Sequence, residues 1–214
     1  SYSRITDFIE GEPEALLAIE LVANSEKELA HKFDLLKEMI SKGGWGYSLV
    51  WLTKDADQEK VWDVRKAGLG LMMNVPGDAK PLPFVEDTAV SPHVLPDFVR
   101  RFDSIVRKHG TEAGYYGHAS VGCLHIRPLI NLKNQEGIDR MVAISDEISD
   151  LVLEFGGSMS GEHGDGLVRS GYNEKMFGSQ IYQAFRDVKT AFDPKKIMNP
   201  GKIVDSPPMT DNLR

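Results

Sequence analysis

Only one cysteine, Cys123, occurs in 214 residues. An internal disulfide is therefore excluded, and so is an iron–sulfur cluster held by this chain alone, which needs several thiolates. One thiol fits a reducing, cytoplasmic setting. There is no block of lysine and arginine: 25 basic and 32 acidic residues are interleaved, with a net charge of −7. Nucleic acid binding needs a basic stripe to neutralise phosphates, so no nucleic acid partner is expected. No apolar run approaches the roughly 20 residues of a membrane span. The opening stretch SYSRITDFIEGEP lacks the apolar segment of a secretory signal. No G-x-G-x-x-G opens a helix and no G-x-x-x-x-G-K-[ST] occurs, so neither common phosphate cradle is present. Internal repeats and low-complexity segments are also lacking.

With 41% hydrophobic and 27% charged residues, the chain has enough apolar matter for one large domain or two small ones. Residues 14–23, EALLAIELVA, read as a strand. A helix follows from Glu26 to Ser41, opened by an Asn/Ser cap, with Leu29, Phe33, Leu36 and Ile40 on one face and stopped by KGGWG. YSLVWLT reads as a second strand, and DADQEKVWDVRKAGLGLMM as a helix weakened late by Gly68 and Gly70. PFVEDTAV is extended within a loop. Pro92 opens the helical run VLPDFVRRFDSIVRKHG. TEAGYYGH and CLHIRPLINL read as two strands joined by a turn. Residues 137–155 form an amphipathic helix, GGSMSGEHGDG a glycine loop, and GSQIYQAFRDVKTAFDP a last helix. This order favours α+β, an antiparallel sheet with helices packed mainly on one face.

Three candidate groups carry chemistry. His118 and His125 are seven residues apart, which on one unbroken strand puts them on opposite faces. A turn at ASVG lets His118 end one strand and His125 sit on the next, so both can lean toward one point. Cys123, His125 and Arg127 then share one face of the second strand, with Leu124 and Ile126 on the other. The plainer alternative is two ordinary histidines beside a sheet. Cys123, among apolar neighbours, reads as a small core residue rather than a nucleophile. In SGEHGDGLVR, glycines surround Glu162, His163 and Asp165 and allow tight turns and close backbone approach. Glu162 could complete a His/His/carboxylate set for a divalent ion, leaving His163 as a base, a role suited to imidazole in general. The alternative is a polar surface loop whose acids cap the next segment.

GHASVGCLHIRP, SGEHGDG and DPKKIMNPGKI, in that order, resemble the C-terminal, substrate-binding domain of FAD-linked oxidases of the vanillyl-alcohol oxidase type. That group includes D-lactate dehydrogenases, the glycolate oxidase flavin subunit and D-2-hydroxyglutarate dehydrogenases. The resemblance runs over residues 1–204 and implies a ferredoxin-like sheet. It also implies that His118, His125 and Glu162 bind a divalent metal, zinc being the expected ion, and that His163 takes the substrate hydroxyl proton while hydride leaves for FAD. Arg65 matches a family position that pairs with a substrate carboxylate, with a helix-surface arginine as the alternative. Asn199, in the closing motif, is carried over as a cofactor-binding position.

Arg127 departs from the family, where D-2-hydroxyglutarate enzymes commonly have asparagine. It could bind a distal substrate carboxylate or pair with an acidic neighbour. RKAGLGLMM and GDAKPLPFVEDTAV resemble the long members fused to an iron–sulfur domain, where Lys80 would face the substrate. A solvated loop lysine is the alternative. The resemblance places the flavin-binding domain elsewhere, in a parent chain or in trans, and residues 205–214 read as a truncated linker. The expected partners are a small 2-hydroxy acid and that flavin domain. The expected location is cytoplasmic, with membrane association through an electron acceptor, and the chain alone is expected to be inactive. A stand-alone metal hydrolase and a non-catalytic binding or assembly module are the rival readings.

Overall fold

The computed structural model describes residues 6–211 and 213. Residues 1–5 of the stretch read for a secretory signal, and 212 and 214 of the tail read as a linker, lie outside them. The chain divides into two compact units, residues 1–71 and 72–214.

In the first unit, α1 (Glu26–Gly43) starts where Ser25 accepts a hydrogen bond from the Glu28 amide at 3.2 Å, a side-chain cap that satisfies an otherwise orphaned donor. It ends at Gly44, whose left-handed backbone (φ 64°) closes the last turn. The second helix, α2 (Asp55–Met73), begins here and reaches the next unit. Phe33 meets Trp51 edge-on at 4.8 Å, and the Tyr47 hydroxyl donates to the Glu10 carbonyl at 3.0 Å. Residues 14–23 and YSLVWLT differ from expectation: neither forms a strand. Leu16, Leu17, Ile19, Val22 and Trp51 stay exposed. Apolar content favours a strand only where a partner supplies ladder bonds.

The second unit is α+β. Four antiparallel strands are present among the described residues: β1 (Lys80–Pro81), β2 (Thr88–Ala89), β3 (Ala113–His118) and β4 (Cys123–Ile130). Three helices accompany them: α3 (Leu95–Lys108), α4 (Gln135–Glu154) and α5 (Asn173–Phe192). β4 is the centre, pairing with β3 along its length and with β1 and β2 at its two ends. Pro81 lies opposite Leu129 and Thr88 opposite Leu124, so the stretch between β1 and β2 is two residues longer than the β4 segment it faces. The excess bulges at 82–87, as extra residues in a paired strand must.

The two faces of β4 differ. Ile126 and Ile130 are buried with Phe98, Phe102 and Val106 of α3 and Met141, Ile144, Ile148 and Val152 of α4. Those two helices thus cover one side of the sheet, as the apolar periodicity of α4 anticipates. Asn134 caps α4 by accepting from the Gly137 amide at 2.8 Å. The expected start of the last helix at Gly178 is instead a break inside α5, where φ 79° and ψ 159° interrupt the helical backbone. No helix among the described residues is long and apolar enough to cross a membrane.

The hairpin turn is a short 3-10 segment, Ala119–Val121, closed by Gly122 at φ 69°. A methyl group there would lie 1.8 Å from the Val90 carbonyl oxygen. Gly122→Ala is therefore expected to destabilise the second unit by roughly 2 kcal/mol or more, read as a lower urea midpoint.

Candidate functional site

The β3–β4 register puts His118 opposite Cys123 and Tyr116 opposite His125. Facing residues share a side of the sheet, so His118, His125 and Arg127 stand together on the face away from the α3–α4 core. Glu162 comes to them from the glycine loop. Its Oε1 lies 3.1 Å from His125 Nε2, 3.5 Å from His118 Nε2 and 3.3 Å from His163 Nε2. The His163 ring stacks on His125 at 4.6 Å, with the planes 5° apart. Three imidazole nitrogens around one carboxylate oxygen are what a shared cation would produce, and the nitrogen and oxygen donors suit a divalent ion with open positions.

His125 is almost wholly buried, and its Nδ1 makes no hydrogen bond among the described residues. Burial, helped by the neighbouring His163, lowers its pKa and favours the neutral ring whose lone pair can bind a metal. Ligand atoms of Asp87, Cys123, His125 and Glu162 lie within 4.8 Å of one another, as do those of Glu86, His125 and His163. Burial first, then the Asp87 carboxylate, pushes the Cys123 thiol up to about 12, so it is a poor nucleophile.

The loop carrying Glu162 and His163 is held by a residue that composition alone did not single out. Asp87 ends the bulge at φ 76°, a left-handed backbone that costs a non-glycine residue energy, and it is fully buried. Its carboxylate accepts from the His163 amide at 2.8 Å, the Glu162 amide at 3.1 Å and the Ser160 hydroxyl at 2.7 Å. The Cys123 thiol donates to it as well, at 3.5 Å. The Asp87 carbonyl takes the Gly161 amide at 2.7 Å. Buried Arg169 ties the loop to the bulge from the other side, donating to the Gly164 carbonyl at 2.6 Å and to the Pro83 and Glu86 carbonyls at 3.2 and 3.1 Å.

A family model described as FAD linked oxidases, C-terminal domain, matches residues 3–203. The chain belongs to this family. It is 43% identical over 145 residues to a D-2-hydroxyglutarate dehydrogenase of Haemophilus influenzae, covering 68% of this chain and 14% of that protein. A D-2-hydroxyglutarate dehydrogenase of Pantoea ananatis is 39% identical over 177 residues, 82% of this chain and 17% of the relative. A D-lactate dehydrogenase of Archaeoglobus fulgidus is 33% identical over 153 residues, 71% of this chain and 32% of the relative. The chain thus spans only 14% and 17% of the length of those two D-2-hydroxyglutarate dehydrogenases. It is homologous to a small part of FAD-dependent 2-hydroxy acid dehydrogenases.

In this FAD-linked oxidase C-terminal domain the other expected site residues are scattered. The Arg127 Nη2 pairs with Glu86 Oε2 at 2.6 Å, both side chains largely buried. The acidic-neighbour alternative for Arg127 is therefore realised. Removing one partner of such a buried pair costs about 3–5 kcal/mol. Lys80 pairs with Ile130, on the face opposite His125, and its ammonium donates to the Val75 carbonyl at 2.6 Å. Arg65 belongs to the other unit, on α2. Asn199 lies in the exposed turn after α5 at φ 50°, a conformation asparagine tolerates. Glu86, Asp87 and Arg169 were missed as site residues. Their signal was adjacent acids inside the otherwise apolar stretch PFVEDTAV, since buried charge needs a reason.

Burial alone would raise the Asp87 carboxyl, but hydrogen bonds from Ser160 and the His163 and Glu162 amides outweigh it and hold it below the usual range. Its stabilising contribution is complete above the unfolded value, about 3.9, and is lost as pH falls through the lower, folded one. Asp87→Asn should be less stable than wild type at neutral pH, with the difference in urea midpoints shrinking as the medium is acidified below that value.

Proposed function

We propose that this chain is the substrate- and metal-binding domain of a flavin-dependent D-2-hydroxy acid dehydrogenase, inactive without its flavin domain. D-2-hydroxyglutarate is the leading substrate, with D-lactate or glycolate next. The observation that carries the reading is the convergence of His118, His125 and His163 on one Glu162 oxygen, in a chain of the FAD-linked oxidase family.

His118, His125 and Glu162 would hold a divalent ion, with zinc as the proposed metal. When bound, the ion supplies Lewis-acid polarisation of the substrate's hydroxyl and carboxylate oxygens, and FAD in the companion domain supplies a hydride acceptor. Oxidation to the 2-oxo acid removes one proton from the hydroxyl and one hydride from C2. The Nε2 of His163 points toward Glu162 and is the atom that takes the proton. Arg127, on the same strand face as His125, is proposed to meet a distal substrate carboxylate with the donors that Glu86 leaves over. Lys80 remains a proposed substrate contact through the donors that Val75 does not take.

The finer architectural reading is a ferredoxin-like sheet, supported by the antiparallel strands β1–β4 with α3 and α4 packed on one face. An iron–sulfur cluster, if the parent protein has one, must be held elsewhere, since the only thiol here is Cys123. A reducing, cytoplasmic setting, with contact to a membrane through the electron acceptor, accords with that single thiol.

Two measurements on the full-length flavoprotein test this. Anaerobic flavin bleaching by D-2-hydroxy acids should be stereospecific, and His163→Ala should slow it by about 10²-fold or more. No bleaching by any hydroxy acid, with flavin and metal both bound, would overturn the dehydrogenase reading. His125→Ala should abolish stoichiometric metal in elemental analysis while leaving the flavin spectrum unchanged.

A further inference from the structure

One acidic residue beside the site is used by neither the metal set nor the loop scaffold. Glu86 is buried in the bulge between β1 and β2, next to Asp87, and its two oxygens face different partners. Oε1 lies 3.1 Å from His163 Nδ1. Oε2 lies 2.6 Å from the Arg127 guanidinium. The neighbouring ring atom, His163 Nε2, points the other way, toward Glu162 Oε1 at 3.3 Å. The ring itself is kept from turning by its parallel stack on buried His125.

We propose that Glu86 is a positioning residue that keeps the neutral His163 proton on Nδ1, leaving the Nε2 lone pair directed into the site. Neutral imidazole carries one proton, and the hydrogen bond made by one nitrogen decides which nitrogen holds it. A carboxylate can only accept, so Nδ1 must donate in the hydrogen bond to Glu86; Glu162 Oε1 lies near Nε2 as an ion-pair contact without a hydrogen bond of that kind. Arg127 enforces this role from behind, because a guanidinium can only donate. The ion pair therefore fixes the polarity of the whole chain, Arg127 to Glu86 to His163. A cation shared by Glu86, His125 and His163, whose ligand atoms cluster within 4.8 Å, is the competing use. Against it stand the hydrogen bond of Oε1 to His163 and the ion pair of Oε2 with Arg127, although Oε2 itself makes no hydrogen bond among the described residues. The inference gives the base reading of His163 an orienting group and rests on that reading for its catalytic meaning, though not for the hydrogen bond itself.

The polarity makes one substitution diagnostic. In Glu86→Gln the amide oxygen must face Arg127, which has no acceptor, so the amide NH2 is left facing Nδ1. The ring must then accept there and move its proton to Nε2. The same exchange of roles follows when the aspartate of a serine-protease triad is changed to asparagine. A merely structural glutamate would lose stability on substitution but would not reverse a tautomer.

The test has two arms. In the first, the 214-residue chain is labelled with ¹⁵N-histidine and studied with EDTA present at pH about 8, above the ordinary imidazole value near 6.5. The His163 signals are assigned by their loss in His163→Ala. The proton should be on Nδ1 in wild type and on Nε2 in Glu86→Gln. A wild-type proton on Nε2, or no change in Glu86→Gln, overturns the inference. In the second, the full-length flavoprotein carrying Glu86→Gln is reduced by substrate under anaerobic conditions. The reduction rate constant should fall by about 10²-fold or more, with the substrate concentration for half-maximal rate and the metal content unchanged. Arg127→Lys, which retains a donor-only cation, should leave the tautomer on Nδ1; a switch to Nε2 there would remove Arg127 from the relay. A reversed tautomer with undiminished reduction would support the Glu86 assignment and overturn His163 as the base.

Discussion

The buried carboxylate of Asp87 is the constraint on which this site depends. A charge removed from water is tolerable only when donors surround it, and here the donors come from the loop that carries Glu162 and His163. The amides of Glu162 and His163 and the hydroxyl of Ser160 point at one side chain. The side chains of Glu162 and His163 are thereby held so that Oε1 of one and Nε2 of the other lie 3.3 Å apart. The left-handed conformation of Asp87 brings its carboxylate and carbonyl to the same loop, so the same residue binds Gly161 through its main chain. A methyl group on Gly161 would come within 2.8 Å of the Cys123 sulfur, which is how closely the loop lies on β4.

That arrangement joins two separate needs of the fold. The α3–α4 side of β4 buries Ile126 and Ile130 and supplies apolar stabilisation. The other side collects His118, His125 and Arg127, whose polar atoms need partners rather than exclusion of water. The bulge at 82–87 meets this second need, because its extra residues deliver Glu86 to Arg127 and His163 and Asp87 to the loop. Arg169 binds the carbonyls at both margins of the arrangement and keeps the bulge and loop from separating. The candidate site therefore rests on a hydrogen-bonded mount, with its side chains positioned by the fold itself.

Much of the local structure was legible in the chain. Ser25 and Gly44 mark the ends of α1, and the interval between His118 and His125 demands a turn if the two rings are to meet. The glycines of SGEHGDG identify a loop, with Gly164 and Gly166 at positive φ. Other segments were read less well for a common reason. Residues 14–23 and 47–53 have strand composition, yet a strand exists only as part of a pair. Gly178 was read as a beginning and is a break, since helical periodicity continues on both sides of it.

The sequence by itself determined the donor types, the turn that folds His118 back over His125, the glycine loop and the family to which the chain belongs. These are local properties, set by residue chemistry and by spacings of a few positions. Tertiary structure alone decided that Glu86 reaches His163 across 77 positions, and that Arg127 spends part of its charge on Glu86. It also made Asp87 the anchor of a loop 75 residues away. Such pairings follow from strand register and from the need to satisfy every buried charge, and neither is written in the neighbourhood of any one residue.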